Sequence, residues 1–145
     1  MEIGSWAEII GAFCTIITII ISARQFYKQN RLNFYEQYTE RNMQIMKEMP
    51  TYILYKNDND KIEDDNKEYF RKNVFLYFDL CSEEYYLSQT GNLDEQVWND
   101  WKDGMKDFFE RRLVNEQLQE IVIIYNDAYS DFIDFLKYEL LIKNI

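Results

Sequence analysis

The sequence predicts an all-α protein: a long N-terminal transmembrane helix that continues into a cytoplasmic helical bundle. Three observations carry this. Four glycines and one proline stand in 145 residues, against 12 tyrosines and 10 phenylalanines, a composition suited to long helices packed through aromatic rings. The stretch from Trp6 to Ala23 is almost wholly apolar, and Arg24, Lys28 and Arg31 follow at once. No helix breaker stands between Gly11 and Pro50, and downstream the apolar residues recur at helical spacing, with no convincing strand.

The first element is the apolar run. From Ile9 to Ala23 it holds 15 residues, fewer than the ~20 that span a bilayer, so a buried helix of a soluble domain is its main rival. The flanking aromatics lengthen it. Trp6 and Tyr27 lie 21 positions apart, ~31 Å at 1.5 Å per residue, close to the hydrocarbon thickness. Glu8 then falls near one interface and Arg24 snorkels at the other. A secretory signal would begin with basic residues and end at a small-residue cleavage site; here Glu2 and Glu8 come first and the basic cluster follows. The run therefore reads as a transmembrane segment over 1–30. By the positive-inside rule its short acidic tail lies outside and residues 31–145 form a cytoplasmic helical domain.

A line of small and polar side chains runs along this helix: Gly4, Glu8, Gly11, Thr15, Thr18, Ser22, Gln25 and Gln29. Their intervals alternate between four and three, so they share one face. Lipid gives helices no hydrophobic reason to meet; small residues and hydroxyls supply one, and with one span per chain the partner must be another chain, most simply a copy. Two outcomes fit: a tight oligomer with Gly4, Gly11 and the threonines packed shut, or a ring whose lumen is lined by Glu8, Thr15, Thr18, Ser22, Gln25 and Gln29. Against both stands a lone anchor whose hydroxyls bond back to its own carbonyls. Glu8 has a structural alternative too, as partner of a Ser5 cap.

The stripe Tyr27, Phe34, Tyr38, Ile45, Met49 carries the helix to Pro50 without a break, a rod of ~67 Å from Ser5. After the short apolar piece 51–56, Asn57 to Asn66 (NDNDKIEDDN) reads as an acidic solvated loop without the glycine and glutamate of a calcium site. Lys67 to Thr90 is an aromatic helix, apolar on most sides and so central to the domain, ended by Gly91. Asp94 caps the next helix, which buries Trp98, Trp101, Met105, Phe108 and Phe109 and runs to about Leu113. Asn115 caps a last helix to about Lys143, on a stripe from Leu118 to Leu140.

The net charge is −10 and histidine is absent. Such acidity argues against nucleic acid as a partner, and the missing histidine removes Ser–His and Cys–His pairs and most zinc sites. Cys14 and Cys81 are placed for neither a disulfide nor a metal, in keeping with a reducing cytoplasm. Glu83–Glu84 reads as a solvated face and Asp94–Glu95 as a helix start. Arg111 and Arg112 could meet a phosphate or an acidic partner segment, but such a pair more often offsets a helix dipole or meets nearby acids. No catalytic residue, cofactor or metal is expected, and the chain does not read as an enzyme.

The span SWAEIIGAFCTIITIIISA, the basic-then-aromatic helix after it, and the segment G-x-L-D-E-x-V-W-x-x-W from Gly91 to Trp101 together resemble a group of small single-pass bacterial proteins of unassigned function. The layout is also similar to that of the membrane-anchored accessory proteins of type VI-B CRISPR systems. The resemblance implies a bacterial inner-membrane location, a homo-oligomeric pore or membrane-perturbing role in antiviral defence, and a CRISPR ribonuclease or other defence protein as partner. It also implies a divergent HEPN motif, an arginine followed by a histidine. This chain has Arg111 and Arg112 but no histidine, so RNA cleavage by that motif is not expected. The alternative expectation is a membrane-tethered module that binds a protein without forming a pore.

Overall fold

The computed structural model describes residues 3–54, 66–91, 93–143 and 145. Among these every regular element is helical, so the chain is all-α. The expected acidic loop lies outside the described residues except for Asn66, and at Gly4 and Ser5 only the helical backbone is described. The chain divides into two units, Met1–Gln37 and Tyr38–Ile145. In the sequence the expected boundary falls at Asn30, within the basic flank that follows the apolar stretch; packing divides the chain at Gln37, just before Tyr38 and Arg41 engage the bundle.

The first unit is the N-terminal part of helix α1 (Ile3–Glu48). Ser5 lies inside its first turn, not at its cap, because nothing at Ile3 or Gly4 stops the helix from beginning earlier. From Trp6 to Gln29 every residue is exposed, the isoleucines included. α1 ends where expected, one residue before the bend at Met49 and Pro50.

The second unit takes in the end of α1, then α2 (Thr51–Leu54), α3 (Lys67–Gln89), α4 (Glu95–Phe109), α5 (Arg112–Tyr125), α6 (Ser130–Asp134) and a π-helical turn (Phe135–Glu139). α3 is its axis. Phe70, Val74, Phe78, Leu80 and Cys81 on it are fully buried, and it packs on α5, which in turn packs on α4. Rings cross-link the core: Phe78 meets Tyr129 at 5.1 Å and Phe132 at 5.2 Å, and Tyr77 meets Phe108 at 4.4 Å. Where α1 stops, its last carbonyls need donors. Buried Asn73 gives its amide to the Glu48 carbonyl at 3.3 Å, and the Tyr69 hydroxyl donates to the Glu48 carboxylate.

The local stop and start signals act as expected. Gly91 adopts φ 71°, the left-handed conformation that its missing Cβ permits, and Asp94 accepts a hydrogen bond from the Gln96 amide at 3.0 Å. Two boundaries differ. α4 ends at Phe109, and Arg111, with extended backbone, stands at the start of α5 in place of Asn115. The side chain of Asn115 instead donates to the carbonyls of Phe109 and Lys143, tying the α4–α5 corner to the C-terminal end. The single last helix is broken after Tyr125. Tyr129 donates its hydroxyl to Asp79 on α3 at 2.8 Å and stacks edge-on to Phe78, and these contacts turn the chain where no glycine or proline does. The end is closed by amides of Leu140 and Ile142 bonding back to Phe135 and Leu136, with Leu141 at φ 57°. A glycine usually stands at such a position, so Leu141→Gly is expected to raise the melting temperature slightly, by about 0.5 kcal/mol of net stability after its entropy cost.

Candidate functional site

Two places carry chemistry worth weighing. The first is the small-and-polar line on α1. Glu8, Gly11, Thr15, Thr18, Ser22, Gln25 and Gln29 are all exposed helical residues, and a Cβ added at Gly11 would meet nothing within 4 Å. The Thr15 hydroxyl donates to the Gly11 carbonyl at 2.9 Å and that of Thr18 to Cys14 at 2.8 Å. These bonds satisfy both donors within the helix while leaving the oxygen lone pairs able to accept. Arg24, Lys28 and Arg31 are likewise exposed.

The second is a carboxylate cluster where the end of α1 meets α3. Both terminal nitrogens of Arg41 reach Glu83, one of them at 3.0 Å, and the Tyr38 hydroxyl donates to the same carboxylate at 3.4 Å. The Tyr38 ring packs 5.7 Å from that of Trp101, so α4 joins the cluster. The bidentate fork holds the Glu83 carboxyl below the usual range, chiefly through its hydrogen bond to Arg41. Glu84, next in sequence, is 5 % exposed. Burial pushes its carboxyl up to about 8, with the Glu83 charge adding to the rise and Arg41 opposing it. This corrects the expected solvated face: Glu83 is ion-paired and Glu84 is in the core. Nearby, burial also pushes the Cys81 thiol and the Tyr77 hydroxyl well up, so neither is ionised at neutral pH. A signal for Glu84 existed in the sequence. Phe70, Val74, Tyr77, Cys81 and Glu84 step by four and three along α3, which places the carboxyl on the buried stripe.

Arg111 and Arg112 part company. The Arg111 side chain is 15 % exposed; it donates to the Ile53 carbonyl at 2.8 Å and to Asp107 at 2.7 Å, and its guanidinium lies 5.3 Å over the Phe108 ring. It thus holds the end of α2 onto α4. Arg112 pairs with Glu116 on its own helix at 2.9 Å. The groove beside it carries Lys67 and Arg71 against Glu68 and Glu120, with Arg71 3.4 Å from Glu120, a balance of charge rather than a cationic pocket. Among the described residues no group of three or more histidines, cysteines or acids could hold a metal ion, and neither cysteine is in a disulfide.

The fold and these sites define a class: an all-α chain that, among its described residues, has one helix long and apolar enough to cross a membrane. No family model, curated protein or solved structure matches this chain.

Proposed function

We propose that this chain is a single-pass membrane protein that assembles with its own copies through the line from Gly4 to Gln29 and acts as a pore-forming or membrane-perturbing effector. One observation carries the membrane part: none of the apolar window of α1 is buried within the chain. A core helix of a water-soluble domain would be covered; here Ile9, Ile10, Phe13, Ile16, Ile17, Ile19, Ile20 and Ile21 are each 45 to 64 % exposed. Leaving them in water would cost on the order of 10 kcal/mol, which lipid removes. The basic residues at the C-terminal end of the run support an outside N-terminus and a cytoplasmic helical domain. The polar line supports self-assembly, because such a line facing lipid would waste every hydrogen bond it could make with a neighbour. The resemblance to accessory proteins of type VI-B CRISPR systems supports antiviral defence as the setting, with a defence protein as partner.

Replacing Thr15, Thr18 and Ser22 together with leucine is expected to abolish dye release from vesicles while leaving membrane insertion intact. Leakage that survives this change overturns the pore. A second reading has an observation of its own: Thr15 and Thr18 already bond within α1, as in a lone anchor. On that reading the helix only tethers a protein-binding domain, and exchanging it for an unrelated membrane anchor preserves activity in the cell.

A further inference from the structure

From Glu8 to Glu40 the charges of α1 are sorted by face. At about 100° per residue, Arg24, Lys28 and Arg31 fall within about 60° of one another. Followed toward the N-terminus, the same face carries Ile10, Phe13, Ile17, Ile20 and Ile21, between 48 and 64 % exposed. The small-and-polar line is centred roughly 140° away round the helix, and the acids Glu36 and Glu40 share its side. One side of α1 is thus an apolar strip that ends in three cations, and the other is polar with acids beyond it.

We infer that the strip ending in Arg24, Lys28 and Arg31 is a binding site for an anionic phospholipid, with acyl chain along Ile17, Ile20 and Ile21 and phosphate on the three cations. This rests on the membrane-spanning reading above. Two features fit this ligand. The cations cover about 10 Å along the helix axis, the same order as the roughly 5–8 Å that one head-group layer adds to the hydrocarbon core. The apolar strip is collinear with them, as a ligand with both a phosphate and a hydrocarbon chain requires, whereas inorganic phosphate would make no use of it. The opposite placement of the polar line has a consequence. Copies that meet through that line turn their cations outward to lipid and avoid bringing like charges together, so lipid binding and self-assembly use different faces and do not compete.

The test uses the full chain in nanodiscs of phosphatidylcholine alone or mixed with phosphatidylglycerol. Insertion is read by resistance to carbonate extraction, and retained lipid by native mass spectrometry. The wild-type chain is expected to insert in both and to retain phosphatidylglycerol in preference. The variant R24Q/K28Q/R31Q should insert yet bind that lipid about a hundredfold more weakly, about fivefold per cation, while R24K/R31K keeps the preference because charge and not fork geometry is used. Added salt should weaken the preference. Failure to insert in either disc sinks the membrane-spanning reading itself. Insertion without lipid preference, a preference that survives in the glutamine variant, or displacement of the lipid by millimolar inorganic phosphate overturns the lipid site alone.

Discussion

Phe78→Ala is expected to destabilise the helical domain by about 4 kcal/mol. Phe78 is fully buried midway along α3, and its ring is gripped edge-on by Tyr129 from the α5–α6 turn and Phe132 from α6. Truncation therefore removes both its own transfer energy and the surface that holds the broken C-terminal helix to the axis. The rings around it come from separate elements whose backbones are already fixed, so the cavity cannot close cheaply. For a domain of this size the loss corresponds to a fall of about 15–20 °C in melting temperature, out of a total stability of ~10 kcal/mol. Phe78→Leu, which fills most of the volume, should cost about 1 kcal/mol. Phe75→Ala is the contrast within the same helix. That side chain is only half-buried, with the Tyr125 ring at 4.9 Å, and its loss should be smaller. Urea unfolding of the full chain in detergent, followed by near-ultraviolet circular dichroism, measures all three. A loss below about 1 kcal/mol for Phe78→Ala would mean that α6 is not held against α3 as described.

The contrast between α3 and the C-terminal helices shows which parts of the fold were legible in the sequence. The span of α3, its stop at Gly91, the Asp94 cap and the end of α1 near Pro50 rest on local chemistry: a missing Cβ, a short acidic side chain, a ring without an N–H. Such signals act within a few residues and can be read there. The turn after Tyr125 has none of them. It is set by Tyr129 reaching Asp79, fifty positions away, and by the ring of Phe78, and an unbroken apolar stripe runs straight through it in sequence. Arg111 is the same case: its partner is the Ile53 carbonyl, fifty-eight positions back, so the residue pair Arg111–Arg112 gave no hint that one side chain would turn inward and the other outward. At the candidate sites the division is similar. The polar line of α1 follows from helical spacing alone. The partnering of Glu83 with Arg41 needs the fold, and so does the burial of Glu84, although its place on the α3 stripe marked it.

Glu84 gives the domain an unusual dependence on pH: its stability is expected to fall as pH rises from about 5 to 9. The sign follows from linkage. Burial raises the folded carboxyl from 4.5 to about 8, so between these values the folded state holds a proton that the unfolded state has released. The associated stability is complete below pH 4.5 and is withdrawn as pH rises through 8. At about 1.4 kcal/mol for each pH unit the interval removes on the order of 5 kcal/mol. Glu83 works in the other direction. Its carboxyl is held low by the Arg41 fork, so that contribution is present above pH 4.5 and lost as acid protonates it. The two together place the maximum stability near pH 5, with loss on both sides. The groups that face Glu84 sharpen the test: Arg41 from α1 opposes its protonation, Glu83 favours it, and Tyr77 and Cys81 stay neutral throughout this range because burial pushes them well up. Glu84→Gln keeps the size and hydrogen-bonding capacity and removes the titration. It should therefore leave stability nearly flat from pH 5 to 9 and exceed the wild type at pH 9 by about 4 kcal/mol, with little difference at pH 5. Thermal melts of both proteins across that range measure the slope. A wild-type stability that holds level or climbs toward pH 9 would place the Glu84 carboxyl in water and not among the core residues of α3.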